Sequence, residues 1–143
     1  MEKCMSSRIC HIFNFNLKDV WNVITDIKSC DWRSDTLHIQ ITEGGKGFIE
    51  YYKNGNVNIF KILEKNKYRY YKLKIINKNF KGIWEGSFYP LKNNRTQIVF
   101  SKKIYVEKPI KRFLAKHLWN IRNLQIQYIK DVERRLMEMK CHE

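Results

Sequence analysis

The chain has 143 residues, of which 43% are hydrophobic and 14% aromatic, a composition that favours a folded globule over a disordered chain. Its 28 Lys and Arg residues against 14 Asp and Glu give a formal net charge of +14, which would attract nucleic acid, anionic lipid or acidic proteins. The sequence contains no uncharged apolar run of roughly 18 residues and no apolar core of a secretory signal, so it predicts neither a membrane span nor export.

The chain begins with a predicted strand and a predicted helix. Alternation from Arg8 to Phe15 predicts a strand with Ile9, His11 and Phe13 on one face. A helix follows from Asn16 to Ile27, because Asn16 is a favourable N-cap and apolar residues recur at helical spacing after it.

A loop from Trp32 to Asp35 leads into a predicted meander of six further strands. The residue pairs Asn54-Gly55 and Asn93-Asn94 predict tight turns, since Asn and Gly accept positive φ. The predicted strands are Leu37 to Thr42, Gly47 to Lys53, Val57 to Glu64, Tyr68 to Ile76, Phe80 to Leu91 and Arg95 to Val106.

The chain closes with one long predicted helix from Pro109 to Lys140, because Pro109 suits the first helical position and no Gly or Pro follows. About thirty residues span roughly 45 Å, longer than a typical sheet is wide. Helical spacing predicts one sheet-facing stripe of Ile110, Phe113, Leu114, His117, Ile121, Leu124, Gln125, Tyr128, Val132 and Met139.

These elements together predict one α+β domain over residues 1–143, with its core from about 8 to 140. A curved seven-stranded antiparallel sheet with a short N-terminal helix and one long C-terminal helix tends to enclose a cavity. Ligand binding is therefore the leading interpretation.

The order of elements resembles the helix-grip fold of the START/Bet v 1-like superfamily, also called SRPBCC or polyketide cyclase-like. The resemblance spans about Arg8 to Lys140, and Trp32 to Asp35 is similar to a variant in uncharacterised bacterial members. The residues that carry it are Phe13 to Trp21, Asp26, Trp32, Gly82-Ile83-Trp84 and Thr96-Gln97-Ile98.

The resemblance implies a deep, largely apolar pocket between the sheet and the terminal helix. Members bind sterols, lipids, plant hormones or polyketides, a minority catalyse cyclisation or dehydration, and others act as quinone-binding chaperones, cochaperones or ribosome-associated proteins. The expected function is therefore binding of an apolar or amphipathic small molecule, such as a lipid, quinone or polyketide-like compound. The alternatives are a polyketide cyclase/dehydratase-like enzyme that uses His117, or a basic adaptor that contacts ribosome or RNA.

Two histidines are candidates for polar work in such a pocket. His117 lies on the stripe of the terminal helix, where an imidazole can hydrogen-bond a ligand or act as a general acid–base. The alternative role is a core histidine that bonds a backbone carbonyl or water. His11 shares the inward phase of the first strand, so the two histidines would form a pair if both faced one cavity.

The loop from Trp32 to Asp35 would lie at the pocket mouth. Arg33 either holds a ligand carboxylate or phosphate or pairs with a local Asp, and Trp32 either packs or stacks on a ligand. We expect Glu50 and Glu85 to face solvent or a lysine. The predicted ligand-binding residues are His11, Phe13, Trp32, Arg33, Trp84, Phe88, Phe113, His117 and Ile121.

No catalytic triad, phosphate-binding loop or metal motif is present, so the sequence predicts no cofactor and no metal, and an enzyme is the less favoured interpretation. The scattered Cys4, Cys10, Cys30 and Cys141 predict reduced thiols in a cytoplasmic protein. The lysines form no dense block, and the abundance of Lys, Asn and Ile is typical of an A/T-rich genome. On the back of the terminal helix, Trp119, Ile126 and Met137 predict a homodimer seam, unless they are scattered exposed residues.

Overall fold

The computed structural model describes the backbone of residues 3–106 and 111–141, and the side chains within these ranges except those of residues 3, 43 and 111–119. The described chain forms one seven-stranded sheet in which each strand pairs antiparallel with its neighbours, in the order β1-β7-β6-β5-β4-β3-β2. The strands are β1 (Lys3–Phe13), β2 (Thr36–Ile41), β3 (Gly47–Tyr52), β4 (Val57–Asn66), β5 (Tyr70–Ile76), β6 (Lys81–Leu91) and β7 (Arg95–Val106), and the helices are α1 (Leu17–Thr25) and α2 (Lys111–Cys141).

The predicted α+β helix-grip architecture is confirmed, and the predicted strands match within a few residues, apart from β1, which begins at Lys3 and not at Arg8. The turn residues explain much of this agreement. Gly55 has φ +88° in the β3–β4 turn, and Asn93 and Asn94 have φ of 64° and 53° in the β6–β7 turn. Asn and Gly tolerate these left-handed conformations, so the chain reverses where the sequence allows it.

Helix α1 begins where its cap predicts. The Asn16 side chain accepts a hydrogen bond from the Asp19 backbone N–H at 2.9 Å, and Asp19 suits the positive end of the helix dipole. Val20, Trp21 and Ile24 are buried, and the Trp21 ring packs edge-on against the ring of Phe88 at 4.9 Å between centroids. Helix α1 therefore fills one end of the concave sheet face with aromatic core.

The buried face of α2 differs from the predicted stripe. Ile121, Gln125 and Val132 are buried as expected, but the prediction for Leu124 is wrong because its side chain is 47% exposed. Ile129 and Leu136, which the predicted stripe leaves out, are buried instead. Helix α1 packs against α2, and Ile129 and Leu136 belong to the same core cluster as Val20 and Ile24 of α1.

Candidate ligand-binding cavity

A cavity of about 680 Å³ lies between the concave face of the sheet and α2. Its lining residues come from the end of α1, the loop before β2, strands β2 to β7 and the middle of α2. Much of the lining is aromatic or aliphatic and includes Phe48, Phe60, Leu73, Trp84, Phe100 and Ile121.

Strand alternation and one glycine shape the apolar wall. On β7 the inward phase runs through Phe100, Lys102 and Ile104, all of which line the cavity. On β6, Trp84 lies against Gly86, where an added Cβ would come within 2.8 Å of the indole. The absence of a side chain at Gly86 lets the Trp84 ring lie across the sheet, 5.0 Å from Phe100 between ring centroids.

A buried ion pair interrupts this apolar wall. The Arg33 Nη1 atom lies 3.4 Å from Glu50 Oε2 and 3.5 Å from Oε1, and Arg33 Nη2 lies 3.3 Å from Asp35 Oδ1. Glu50 is 5% exposed, so the prediction that it faces solvent or a lysine is wrong. The register explains its burial, because Glu50 pairs with Asn58 on β4 and shares the concave face with it.

A chain of hydrogen bonds continues from Glu50 along the cavity wall. The Tyr52 hydroxyl donates to Glu50 Oε2 at 3.3 Å and accepts from Asn58 Nδ2 at 3.3 Å. Asn77 Nδ2 in turn donates to Asn58 Oδ1 at 2.8 Å. Burial and then the charge of Glu50 raise the pKa of Tyr52 well above its ordinary value, so this hydroxyl stays protonated and can keep donating.

The guanidinium of Arg33 lies over the ring of Tyr128 at 4.9 Å and over that of Trp32 at 5.7 Å. Burial is the largest single effect and would lower the pKa of Arg33, but the surrounding charges, with Glu50 first and Asp35 among them, together outweigh it, and the net pKa is above the ordinary value. Burial also raises the pKa of Tyr128, against the opposing effect of Arg33. At neutral pH, Arg33 is therefore a cation, and the Tyr52 and Tyr128 hydroxyls are neutral.

The loop that carries Trp32 and Arg33 is bound to α2. Asp131, which is 1% exposed, accepts from the Ser34 backbone N–H and from Ser34 Oγ, each at 2.9 Å. Arg134 Nη2 donates to the Trp32 carbonyl at 2.7 Å. These bonds hold the loop and the helix together beside the cavity and so position Arg33.

Besides Arg33 of the loop, the inward phase of β7 contributes a cationic side chain, Lys102, to the cavity lining. Its neighbour Lys103 points to the opposite face and is exposed. Burial lowers the pKa of Lys102 below the ordinary 10.5, and the charge of Glu50 partly opposes this effect.

The cavity meets solvent near the β3–β4 turn. Lys53, Asn54 and Asn56 of this turn are exposed and line the cavity. Leu124 on α2 is also both exposed and part of the lining. A ligand would enter between this turn and the helix.

Four of the predicted ligand-binding residues, Trp32, Arg33, Trp84 and Ile121, line the cavity. Phe13 and Phe88 lie outside its lining, in the main core cluster. Phe113 and His117 belong to the part of α2 whose side chains are not described, so the candidate catalytic role of His117 stays a prediction.

His11 also lies outside the cavity lining. Its Nε2 atom is 3.9 Å from Glu133 Oε2, and its ring packs edge-on against Phe13 at 4.6 Å between centroids. From position 117 to position 133 a helix rises roughly 24 Å. A ligand shared by His11 and His117 would have to span about this distance.

On the back of α2, Ile126 is 37% exposed and Met137 57% exposed. The side chain of Trp119 lies outside the described residues. The homodimer seam stays a prediction.

The predicted ligand-binding residues leave out Glu50, Tyr52, Lys102 and Tyr128, which are polar residues of the lining. A signal was present for Lys102, since it interrupts an alternating inward run in which Ile98, Phe100 and Ile104 are buried. A charged residue in an otherwise apolar phase indicates a polar position in the interior.

The comparisons with known proteins concern the fold. No family model matches the sequence, and no curated protein matches it. Solved structures match over almost the whole chain. An uncharacterised protein from Bacillus thuringiensis is 16% identical, with a TM-score of 0.77 over 93% of this chain and 99% of that one. A START superfamily protein from Mycobacterium smegmatis is 14% identical, with a TM-score of 0.76 over 95% and 98%.

Ara h 8.0201, a Bet v 1 allergen, is 12% identical, with a TM-score of 0.72 over 95% of this chain and 99% of that one. At such low identities the likeness shows the fold. The chain has the START/Bet v 1-like helix-grip fold.

No described helix is long and apolar enough to cross a membrane. No group of three or more His, Cys, Asp or Glu side chains in the described ranges could hold a metal ion.

Proposed function

We propose that this protein binds an apolar or amphipathic small molecule in the cavity between the sheet and α2. The observation that carries the proposal is the cavity of about 680 Å³ with its mixed aromatic and aliphatic walls. Pockets for small molecules are commonly about 300–1,000 Å³, mostly apolar, with a few placed polar groups. The fold, shared with a START superfamily protein and a Bet v 1 allergen, supports the same function.

The lining favours a ligand with an apolar body and polar substituents. Phe60, Trp84 and Phe100 offer ring faces and edges to such a body. Tyr52 and Asn58 place hydrogen-bonding groups on the same wall. Lipids, quinones and polyketide-like molecules combine these features, and we propose them as the ligand classes. The four free thiols suit a cytoplasmic setting, which we propose as the location.

Native mass spectrometry of freshly purified protein, followed by solvent extraction, tests the proposal. The expected result is a copurified apolar molecule, or a purified protein that binds the neutral dye N-phenylnaphthylamine with a fluorescence increase. A protein that carries no extractable molecule and does not enhance the dye would contradict the proposal.

A pair of variants ties binding to the cavity. Leu73→Trp adds volume to a buried, cavity-lining position on β5, and Lys74→Trp adds a similar ring on the opposite face of the same strand. We expect the dye affinity to fall about tenfold or more in Leu73→Trp and to stay within about twofold in Lys74→Trp. Equal affinities in the two variants would place the dye elsewhere.

A further inference from the structure

Lys102 occupies an unusual place on the concave face of the sheet. It lies in the inward phase of β7, between the buried Phe100 and Ile104. Its cross-strand partners are Ser7 on β1 and Trp84 on β6. Cross-strand partners share a sheet face, so the lysine stem is flanked by the Trp84 indole on one side and by the Ser7 hydroxyl on the other.

Two acceptors in the cavity lining already have donors. The Gln125 Oε1 atom of α2, which lies over Ser7, accepts from Ser7 Oγ at 2.7 Å. Glu50 accepts from Arg33 and from Tyr52. Among the described side chains, none forms a hydrogen bond or an ion pair with Lys102 Nζ, although the charge of Glu50 acts on it at longer range.

A lysine on a sheet usually keeps its ammonium group in water, because the long aliphatic side chain can reach the solvent. Lys74 and Lys103 do so on the outer face, opposite the cavity-lining side chains of their own strands. Lys102 instead ends in a largely apolar cavity, and burial lowers its pKa. An ammonium without a direct counter-ion in such a place carries a desolvation cost that a bound anion would offset.

Arg33 is less suited to receive an anion. Its Nη1 faces Glu50 and its Nη2 faces Asp35, so both ends of the guanidinium fork have carboxylate partners. A ligand anion at this point would also meet the charges of those carboxylates. Among the described residues, Lys102 is thus the inward-facing cavity cation that has no carboxylate partner.

Building on the proposed small-molecule function, we propose that the ligand is an amphipathic anion whose acidic head group pairs with Lys102 Nζ and whose apolar body lies against Trp84 and Phe100. The head-group chemistry is a carboxylate, sulfonate or phosphate, each of which accepts charge-assisted hydrogen bonds from an ammonium. The aromatic wall beside the lysine then provides the apolar contact.

Two fluorescent dyes with a common skeleton test this assignment. Anilinonaphthalene sulfonate is anionic, and N-phenylnaphthylamine is its neutral counterpart without the sulfonate. Lys102→Met keeps most of the side-chain length and removes the charge. Lys103→Met removes the same charge from the outer face of the same strand and controls for general attraction to the basic surface.

We expect Lys102→Met to raise the Kd of the anionic dye about tenfold or more while the Kd of the neutral dye stays within about twofold. Lys103→Met should leave both dyes within about twofold of the unaltered protein at physiological salt. Retained binding of the neutral dye shows that the cavity of the variant is intact.

An unchanged affinity of Lys102→Met for the anionic dye would overturn the assignment and leave the proposed function standing. Equal loss of both dyes in Lys102→Met and in Lys102→Gln would also overturn it, because the lysine would then act through cavity structure. Failure of the unaltered protein to bind either dye, in a preparation that also carries no extractable molecule, would instead remove the proposed function itself.

Discussion

Tyr70 and Tyr71 are adjacent on β5 but have opposite hydrogen-bonding situations. Tyr71 is 2% exposed, and its buried hydroxyl has no hydrogen-bond partner among the described residues. The Tyr70 hydroxyl, on the other face, donates to Glu85 Oε2 at 2.7 Å. Replacement of each tyrosine by phenylalanine should therefore change the free energy of unfolding in opposite directions.

The expected magnitudes near neutral pH follow from these contacts. A buried polar group without a partner costs about 1–3 kcal/mol. We expect Tyr71→Phe to raise the free energy of unfolding by about 1 kcal/mol. This is the lower end of the range, chosen because Tyr71 borders the cavity. Tyr70→Phe removes a hydrogen bond to a carboxylate at a half-buried site. It should lower the free energy of unfolding by about 1 kcal/mol.

Alkaline pH should widen the effect at Tyr71. Burial, and then the charge of Glu50, raises the pKa of Tyr71 to about 12 from the ordinary 10. Between pH 10 and 12 the native state therefore keeps a proton that the unfolded state has lost, and the free energy of unfolding falls as pH rises. The whole difference corresponds to about 3 kcal/mol, which Tyr71→Phe would not lose.

Urea unfolding followed by circular dichroism measures these free energies by linear extrapolation. The difference between Tyr71→Phe and the unaltered protein is taken near neutral pH and at intervals through the window from 10 to 12. This difference isolates Tyr71, because other titrating groups are common to both proteins. Near neutral pH, Tyr70→Phe is the matched control at the adjacent residue. In the alkaline window it is not a control, because burial and the hydrogen bond to Glu85 raise the pKa of Tyr70 to about 12 as well.

A Tyr71→Phe protein that is less stable than the unaltered one near neutral pH would refute the unpaired hydroxyl. A stability difference that stays constant through the alkaline window would refute the raised pKa of Tyr71.

Three further changes test the ion pair, the link between loop and helix, and the first helix. Glu50→Gln should lower the free energy of unfolding by about 2–4 kcal/mol, because Arg33 stays buried with Asp35 as its remaining carboxylate, and the double variant with Arg33→Met should recover part of the loss. Asp131→Ala should cost about 2 kcal/mol, because Ser34 loses its acceptor. Asn16→Ala should cost about 1 kcal/mol through the lost N-cap.

Urea unfolding measures all three changes. Additive losses in the Glu50 and Arg33 variants would contradict a coupled pair. An Asp131→Ala or Asn16→Ala protein as stable as the unaltered one would show that solvent replaces the bond concerned.

Most of the fold follows from local sequence signals. These signals act within a few residues of chain, so they can be recognised from the sequence without the tertiary structure. They are the Asn16 cap, the positive-φ residues Gly55 and Asn93, and the alternation along β7. Strand bounds such as Arg95–Val106 agree with the prediction for the same reason. These preferences are intrinsic to backbone conformation and side-chain periodicity.

The candidate site depends on packing between distant parts of the chain. Glu50 faces the cavity because of the register between β3 and β4 and because Arg33, on a separate loop, forms an ion pair with it. The alternation along β3 alone therefore does not predict which face of the sheet Glu50 occupies. The exposure of Leu124 likewise depends on tertiary structure, because Leu124 is part of the lining of the cavity between the sheet and α2. Single-strand patterns do not encode such encounters.

Local patterns thus predict which side chains share a face, as they do for Phe100 and Lys102, because the backbone repeats every two residues in a strand. Local patterns do not predict the space between the concave face of the sheet and α2. Its volume depends on the curvature of seven strands and on the point where Asp131 binds α2 to the Trp32 loop. Only the assembled sheet and helix determine this volume, since it results from contacts between residues far apart in the chain.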